Sequence, residues 1–149
     1  MFQYIDMTKV VAAILENDGR VLICQRGPQQ SHPLKWEFPG GKLEAGETPA
    51  QAAARELKEE LGIENAQGEE IERYEFTYPG KPPVELIFFR VDRYTGEPQN
   101  LIFHDMRWEP RTNLLRFDFL EGDREFLTRF ALYTKSYVRS DQTRRTGRE

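Results

Sequence analysis

One helix is marked at both ends in this sequence, and it carries three glutamates on a single face. Thr48 supplies a capping hydroxyl, and Pro49 suits the first helical position, where its missing N–H is no loss. Gly62 supplies the left-handed residue that commonly closes a helix. Between them Ala50, Ala53, Ala54, Leu57 and Leu61 recur at helical spacing and predict a core-facing stripe. Glu56, Glu59 and Glu60 stand at i, i+3 and i+4, so their carboxylates share a face flanking that stripe. They belong at the edge of whatever sheet the helix covers.

The sheet is predicted on either side of it. Residues 10–15 and 21–24 are continuous apolar runs, joined by Asn17-Asp18-Gly19-Arg20, whose Asp-Gly pair favours a tight hairpin. Residues 27–35 read as a loop and residues 36–38 as a short strand stopped by Pro39-Gly40-Gly41. Residues 72–78 and 84–94 predict a second hairpin turning through Pro79-Gly80-Lys81-Pro82-Pro83, and residues 107–109 a further strand. A second helix is expected over residues 121–137, with Phe126, Leu127, Phe130 and Tyr133 or Tyr137 inward. Strands, helix, strands, helix imply an α+β fold, a mixed sheet packed between helices in an α/β/α sandwich.

Length and charge narrow the function. At 149 residues the chain suits one domain with its own core. Residues 1–7 are expected to be an extension, 8–137 the domain, and 138–149 a basic tail. That tail carries Arg139, Arg144, Arg145 and Arg148, and is read as frayed or as a polyanion contact. The net charge of −4 argues against a stable nucleic-acid complex. No apolar run approaches membrane-spanning length, no secretory signal is visible, and a single cysteine, Cys24, excludes an internal disulfide. The expectation is a cytoplasmic protein, monomer or homodimer.

The glutamates are electrostatically costly where they stand. Like charges at this spacing repel by a few tenths of a kcal/mol per pair, and the helix dipole disfavours each by ~0.3–1 kcal/mol more in the last turns. Arg55 can neutralise one of them, and Lys58 lies off the face. An ordinary solvated acidic face would account for three glutamates alone. Clustered oxygen ligands, however, suit a hard divalent ion, which for phosphate chemistry means Mg²⁺ or Mn²⁺. The whole segment decides between these readings. Gly41, Glu47, then Arg55-Glu56-Leu57-Lys58-Glu59-Glu60-Leu61-Gly62-Ile63 holds five charged and two glycine positions at fixed spacing. Average usage gives such a match by chance at on the order of one in 10⁸ starting points.

This segment matches the Nudix box at each defined position. The chain resembles a Nudix hydrolase of the MutT-like branch over roughly residues 8–134, since Gln25-Arg26, Trp36-Glu37-Phe38-Pro39-Gly40-Gly41-Lys42 and the Trp108 strand also fall at MutT-like places. The resemblance implies that Glu56, Glu59 and Glu60 hold divalent metal, with the Gly40 carbonyl as a further ligand. Arg55 would steady Glu56 and Glu59, Glu47 would pair back to Arg55, and Gly41 would let the loop pass close to the helix. Arg26, Glu37, Phe38, Pro39, Gly40, Tyr78 and Asp123 would face substrate. For several of these a purely structural role competes: a surface charge at Arg26, core packing at Phe38 and Tyr78, helix capping at Asp123. Water attacking phosphorus would lose its proton to Glu56 or to a carboxylate from a later loop. In that later loop the family's acid falls on Ile102, and a small shift offers His104 or Asp105.

The implied activity is Mg²⁺-dependent hydrolysis of a nucleoside triphosphate to monophosphate and pyrophosphate, with Mn²⁺ able to substitute. Oxidised dGTP (8-oxo-dGTP) is the leading substrate. A CTP/dCTP pyrophosphohydrolase and a non-catalytic Nudix-like nucleotide-binding module are the alternatives. Gly40-Gly41-Lys42 lacks the remaining residues of a Walker loop, and no zinc spacing or serine-nucleophile motif occurs.

Overall fold

The computed structural model of the chain describes residues 7–132. The expected extension up to residue 6, the last turn of the second helix with Tyr133 and Tyr137, and the basic tail lie outside the described residues.

Strand β1 (Thr8–Asn17) runs through the middle of the molecule, and its continuous apolar run is explained by burial on both faces. Val11, Ala13 and Leu15 pack towards α1 (Pro49–Leu61), against Ala52, Ala53, Leu57 and Leu61. Ala12 and Ile14 face the opposite way, into an aromatic cluster with Phe88, Phe126 and Phe130. Helices therefore cover both sides of the sheet, as the α+β sandwich requires. Helix α1 starts in a reciprocal cap: Thr48 Oγ1 accepts the Gln51 N–H, and the Gln51 side chain accepts the Thr48 N–H.

The expected hairpin at residues 17–20 exists, but its arms part at once. β1 and β2 (Arg20–Gln25) pair only at Glu16↔Val21 and Asn17↔Arg20. Beyond that, β1 has its edges filled: β6 (Val84–Thr95) lies parallel to it from Thr8↔Val84 to Leu15↔Val91, and β4 (Gly40–Lys42) is antiparallel to it. β2 turns instead to β3 (Trp36–Glu37) and β7 (Asp105–Pro110). The result is a seven-stranded mixed sheet with order β3-β2-β1-β6-β5, where β5 is Glu64–Phe76, and with β4 and β7 branching from it.

β5 (Glu64–Phe76) starts earlier than the predicted strand at residues 72–78. Its first half is polar and exposed, bulges interrupt its pairing with β6, and Asn65 has a φ of 58°. With Ala66 the one buried residue of that half, the strand carries too little alternation to read. The second helix also opens differently. Residues Glu121–Asp123 form a 3-10 turn, and α2 follows as Arg124–Leu132. Two tyrosines from the β5 side clip this junction: Tyr74 Oη donates to the Gly122 carbonyl at 2.6 Å and accepts the Phe126 N–H at 3.1 Å, while Tyr78 Oη accepts the Gly122 N–H at 3.1 Å.

Glu16, near the end of β1, is joined to Arg111 by two hydrogen bonds of 2.9 and 2.6 Å, with side-chain exposures of 8% and 4%. The guanidinium also lies 4.1 Å from the Phe130 ring centre, so β1, the segment after β7 and α2 meet at one buried ion pair. Removing one partner of such a pair leaves a charge in a poor dielectric. Glu16→Gln is expected to lower the unfolding free energy by about 3 kcal/mol in urea titration; a loss below about 1 kcal/mol would show that the pair contributes little beyond its packing.

Candidate active site

The last two turns of α1 lie against the β3–β4 connection. Glu60 is only 9% exposed, and its Oε1 accepts the Gly40 N–H at 3.1 Å. Two close approaches require the paired glycines. A Cβ on Gly41 would sit 2.2 Å from Glu56 Oε2, and one on Gly40 would sit 2.0 Å from the Val11 carbonyl oxygen.

Arg55 ties the loop after β4 to the helix. Its Nε and Nη2 reach the two Glu47 carboxylate oxygens at 2.6 and 2.9 Å, and Nη2 also donates to the Lys42 carbonyl at 3.0 Å. Its Nη1 lies 3.3 Å from Glu56 and 3.5 Å from Glu59. The hydrogen bonds from Arg55 hold the Glu47 carboxyl down at about 2.

Glu56 and Glu60 are both shifted the opposite way from Glu47. Burial pushes Glu60 up to about 9, against the pull of the Gly40 N–H, and the neighbouring Glu56 charge adds to the rise. Burial raises Glu56 as well, despite Arg55. The two carboxyls lie in hydrogen-bond contact, which they sustain only by sharing a proton or by holding a cation. Glu59 is turned outward to Arg55 and is 58% exposed. Among the described residues no three Asp, Glu, His or Cys side chains converge as they stand; a site using all three glutamates would require Glu59 to leave Arg55. The inward-facing donors are all oxygens, and their uncompensated charge fits a hard divalent ion.

Glu60 forms part of the wall of a cavity of about 320 Å³. Arg26, Glu37, Phe38, Gly40, Tyr78 and Asp123 line it too. Arg26 is fixed by Ser31 (carbonyl oxygen 2.8 Å, Oγ 3.0 Å) and by Glu37 Oε1 at 3.1 Å. Burial raises the Glu37 carboxyl, partly offset by Arg26. Phe38 is packed among Phe88, Phe119 and Phe126 and also closes the cavity floor, so core packing and cavity lining coincide in this residue. The ring of Tyr78 stands 4.8 Å from that of His32, another lining residue.

The structure does not bring Pro39, His104 or Asp105 into the lining. The Pro39 carbonyl accepts the Ala13 N–H at 2.8 Å, and the His104 N–H donates to the Gln25 carbonyl at 2.9 Å. Asp105 begins β7 and pairs with Arg107 at 3.2 Å. From that connection it is Ile102 and Phe103 that reach the cavity. Sequence reasoning missed Phe103, His32 and the supporting Tyr74. An aromatic residue whose partner is 48 positions away leaves no local signal of that contact.

Repelling carboxylates at the mouth of a cavity floored by aromatic rings form the working arrangement of a metal-assisted hydrolase. The comparisons with known proteins agree. The family described as "NUDIX domain" matches residues 7–130. An 8-oxo-dGTP diphosphatase of Haemophilus influenzae is 44% identical over 91 residues, which span 60% of this chain and 66% of that protein. A CTP pyrophosphohydrolase of Escherichia coli is 36% identical over 83% of this chain and 91% of its own length. The solved structure of the E. coli ORF135 protein superposes with a TM-score of 0.73 at 35% identity, covering 83% of this chain and 88% of that one. The chain belongs to the Nudix family and is a MutT-like hydrolase.

The raised Glu60 carboxyl makes metal-free stability depend on pH with a definite sign. The folded protein holds that proton up to about 9, whereas the ordinary value is 4.5. The stabilisation is therefore complete below the ordinary value and is lost as pH rises towards 9. Without metal, Tm is expected to fall across that window. Glu60→Gln, which keeps an acceptor for Gly40, should flatten the fall and raise Tm at pH 8 by about 3–6 °C. A steep fall in the variant as well would assign the effect elsewhere.

Proposed function

We propose that the chain hydrolyses nucleoside triphosphates to the monophosphate and pyrophosphate using Mg²⁺, with Mn²⁺ able to substitute, and that it acts in the cytoplasm on the free nucleotide pool. The observation that carries this reading is the Glu56–Glu60 pair, buried in mutual contact beside a cavity of nucleotide size. Glu56, Glu60 and the Gly40 carbonyl would hold the ion, with Glu59 joining on release from Arg55. A bound ion supplies neutralisation of the polyphosphate and a more acidic water.

The chain's own groups do the rest. Arg26 and Lys42, both at the cavity wall, attract the phosphates. Phe38 and Tyr78 offer faces to the base, with Asp123 at its edge. Glu56, in contact with the lining residue Glu60, takes the water's proton. The leading substrate is 8-oxo-dGTP, by likeness to relatives bearing that activity in their names. A CTP or dCTP preference is the second reading, favoured by the extent of the match to the E. coli CTP pyrophosphohydrolase. A non-catalytic binding module would have no use for the costly Glu56–Glu60 pair.

Pyrophosphate release across a nucleotide panel, with and without Mg²⁺, tests the reading. Activity should require the metal, and 8-oxo-dGTP should exceed CTP and dCTP in kcat/KM. Glu56→Gln should lower kcat by about 10²–10⁴-fold, the usual share of a general base, with the fold retained. Tight nucleotide binding without turnover at any pH would point to the binding module instead.

A further inference from the structure

A second cleft, of about 500 Å³, adjoins the catalytic cavity, and Lys42 belongs to the wall of both. It lies between the start of β1 and the loop from β4 to α1, with Lys9, Glu44 and Glu47 in its lining. The register of the strands sets the path into it. Gly40, Gly41 and Lys42 stand opposite Ala12, Val11 and Val10, and the Leu43 N–H then donates to the Lys9 carbonyl at 2.9 Å. A track therefore runs along β4 from the paired glycines, past Lys42, to Lys9.

The charges in this cleft are unevenly matched. Arg55 answers both acids: Glu47 accepts from its Nε and Nη2 at 2.6 and 2.9 Å, and Glu44 lies 3.7 Å from Nη1. Lys9 and Lys42, by contrast, have no carboxylate partner among the described residues. The Ala45 and Gly46 N–H groups stand in the turn that the Glu47 N–H closes on the Glu44 carbonyl, and they have no acceptor there either. Free ammonium groups and free amides around one hollow suit an anion. A cation would find both acids already paired.

Resting on the nucleotide-hydrolase reading above, we propose that this cleft receives the far end of a polyphosphate chain longer than a triphosphate, so that the enzyme also hydrolyses nucleoside 5′-tetraphosphates. Length decides which phosphates reach it. A strand rises roughly 3.3 Å per residue, and each added phosphate extends a chain by nearly as much. A triphosphate cleaved beside Gly40 and Gly41 ends near Lys42, and one further phosphate comes level with Leu43, beside Lys9. The chemistry is that of the triphosphate with a longer leaving chain. The water oxygen bonds to phosphorus, the bridging oxygen keeps the electron pair of the broken P–O bond, and the water's proton passes to Glu56. The products are the nucleoside monophosphate and inorganic tripolyphosphate.

The test compares kcat/KM for guanosine 5′-tetraphosphate and GTP in the wild type, in Lys9→Gln and in Lys9→Arg. The wild type should turn over the tetraphosphate at least as well as GTP. Lys9→Gln should lower that ratio by about tenfold, as loss of one charged contact does, while GTP itself changes by less than about twofold. Lys9→Arg, which keeps the charge, should restore the ratio. A second readout needs no turnover. Calorimetric titration with inorganic tetrapolyphosphate in the absence of metal should show uptake by the wild type, weakened about tenfold in Lys9→Gln. Equal ratios in the wild type and Lys9→Gln, or tetrapolyphosphate binding that the variant leaves unchanged, would overturn the assignment. Absence of hydrolysis on every nucleotide would remove the functional reading, and the calorimetry would still decide whether the cleft takes polyphosphate.

Discussion

The hydrogen bond from the Gly40 amide to Glu60 joins the two halves of the site and fixes the geometry around it. It holds the β3–β4 connection onto the last turn of α1, so closely that neither Gly40 nor Gly41 has room for a side chain. It also keeps a carboxylate where burial and a second carboxylate both oppose its charge. A helix end that solvates its acids would be more stable and would do nothing. Here the unfavourable electrostatics are retained because the surrounding elements leave Glu60 no way out: the double glycine on one side, the Leu57 and Leu61 stripe beneath, and Arg55 holding the adjoining loop through Glu47.

Those elements depend in turn on β1. Because its alternate residues serve two cores, α1 and α2 are placed on opposite faces of one strand. The clustered acids come from the α1 side, while the aromatic floor and Asp123 come from the α2 side. The cavity is where the two meet at the strand's edge, lined by Val10, Val11 and Ala12. On the proposed reading, phosphate chemistry and base recognition would rest on these separate packing units.

Much of this was legible in the sequence, for reasons that differ by element. α1 could be placed to the residue because its cap, proline, apolar stripe and closing glycine all agree. The acids were legible because their spacing fixes their face whatever the tertiary context. β4 was not, since Gly40-Gly41-Lys42 has no strand propensity and pairs only because β1 has an open edge beside it. Nor could pattern reveal that the connection before β7 offers Ile102 and Phe103 to the cavity while His104 and Asp105 turn away. That depends on where the Gln25 carbonyl captures the His104 amide.

The outer strand has a consequence for how the molecule behaves among its copies. β5 ends the sheet, and a bare strand edge invites another strand to add to it. Here the row is broken by register shifts and crowded with Glu69, Glu70, Glu72 and Glu75. A second chain approaching in register would have to disturb the ion pairs of Glu69 with Arg90, Glu70 with Arg73 and Glu72 with Arg129, and follow a bent ladder. Growth into fibres by that route is discouraged without any change at the end of the molecule that carries the cavity.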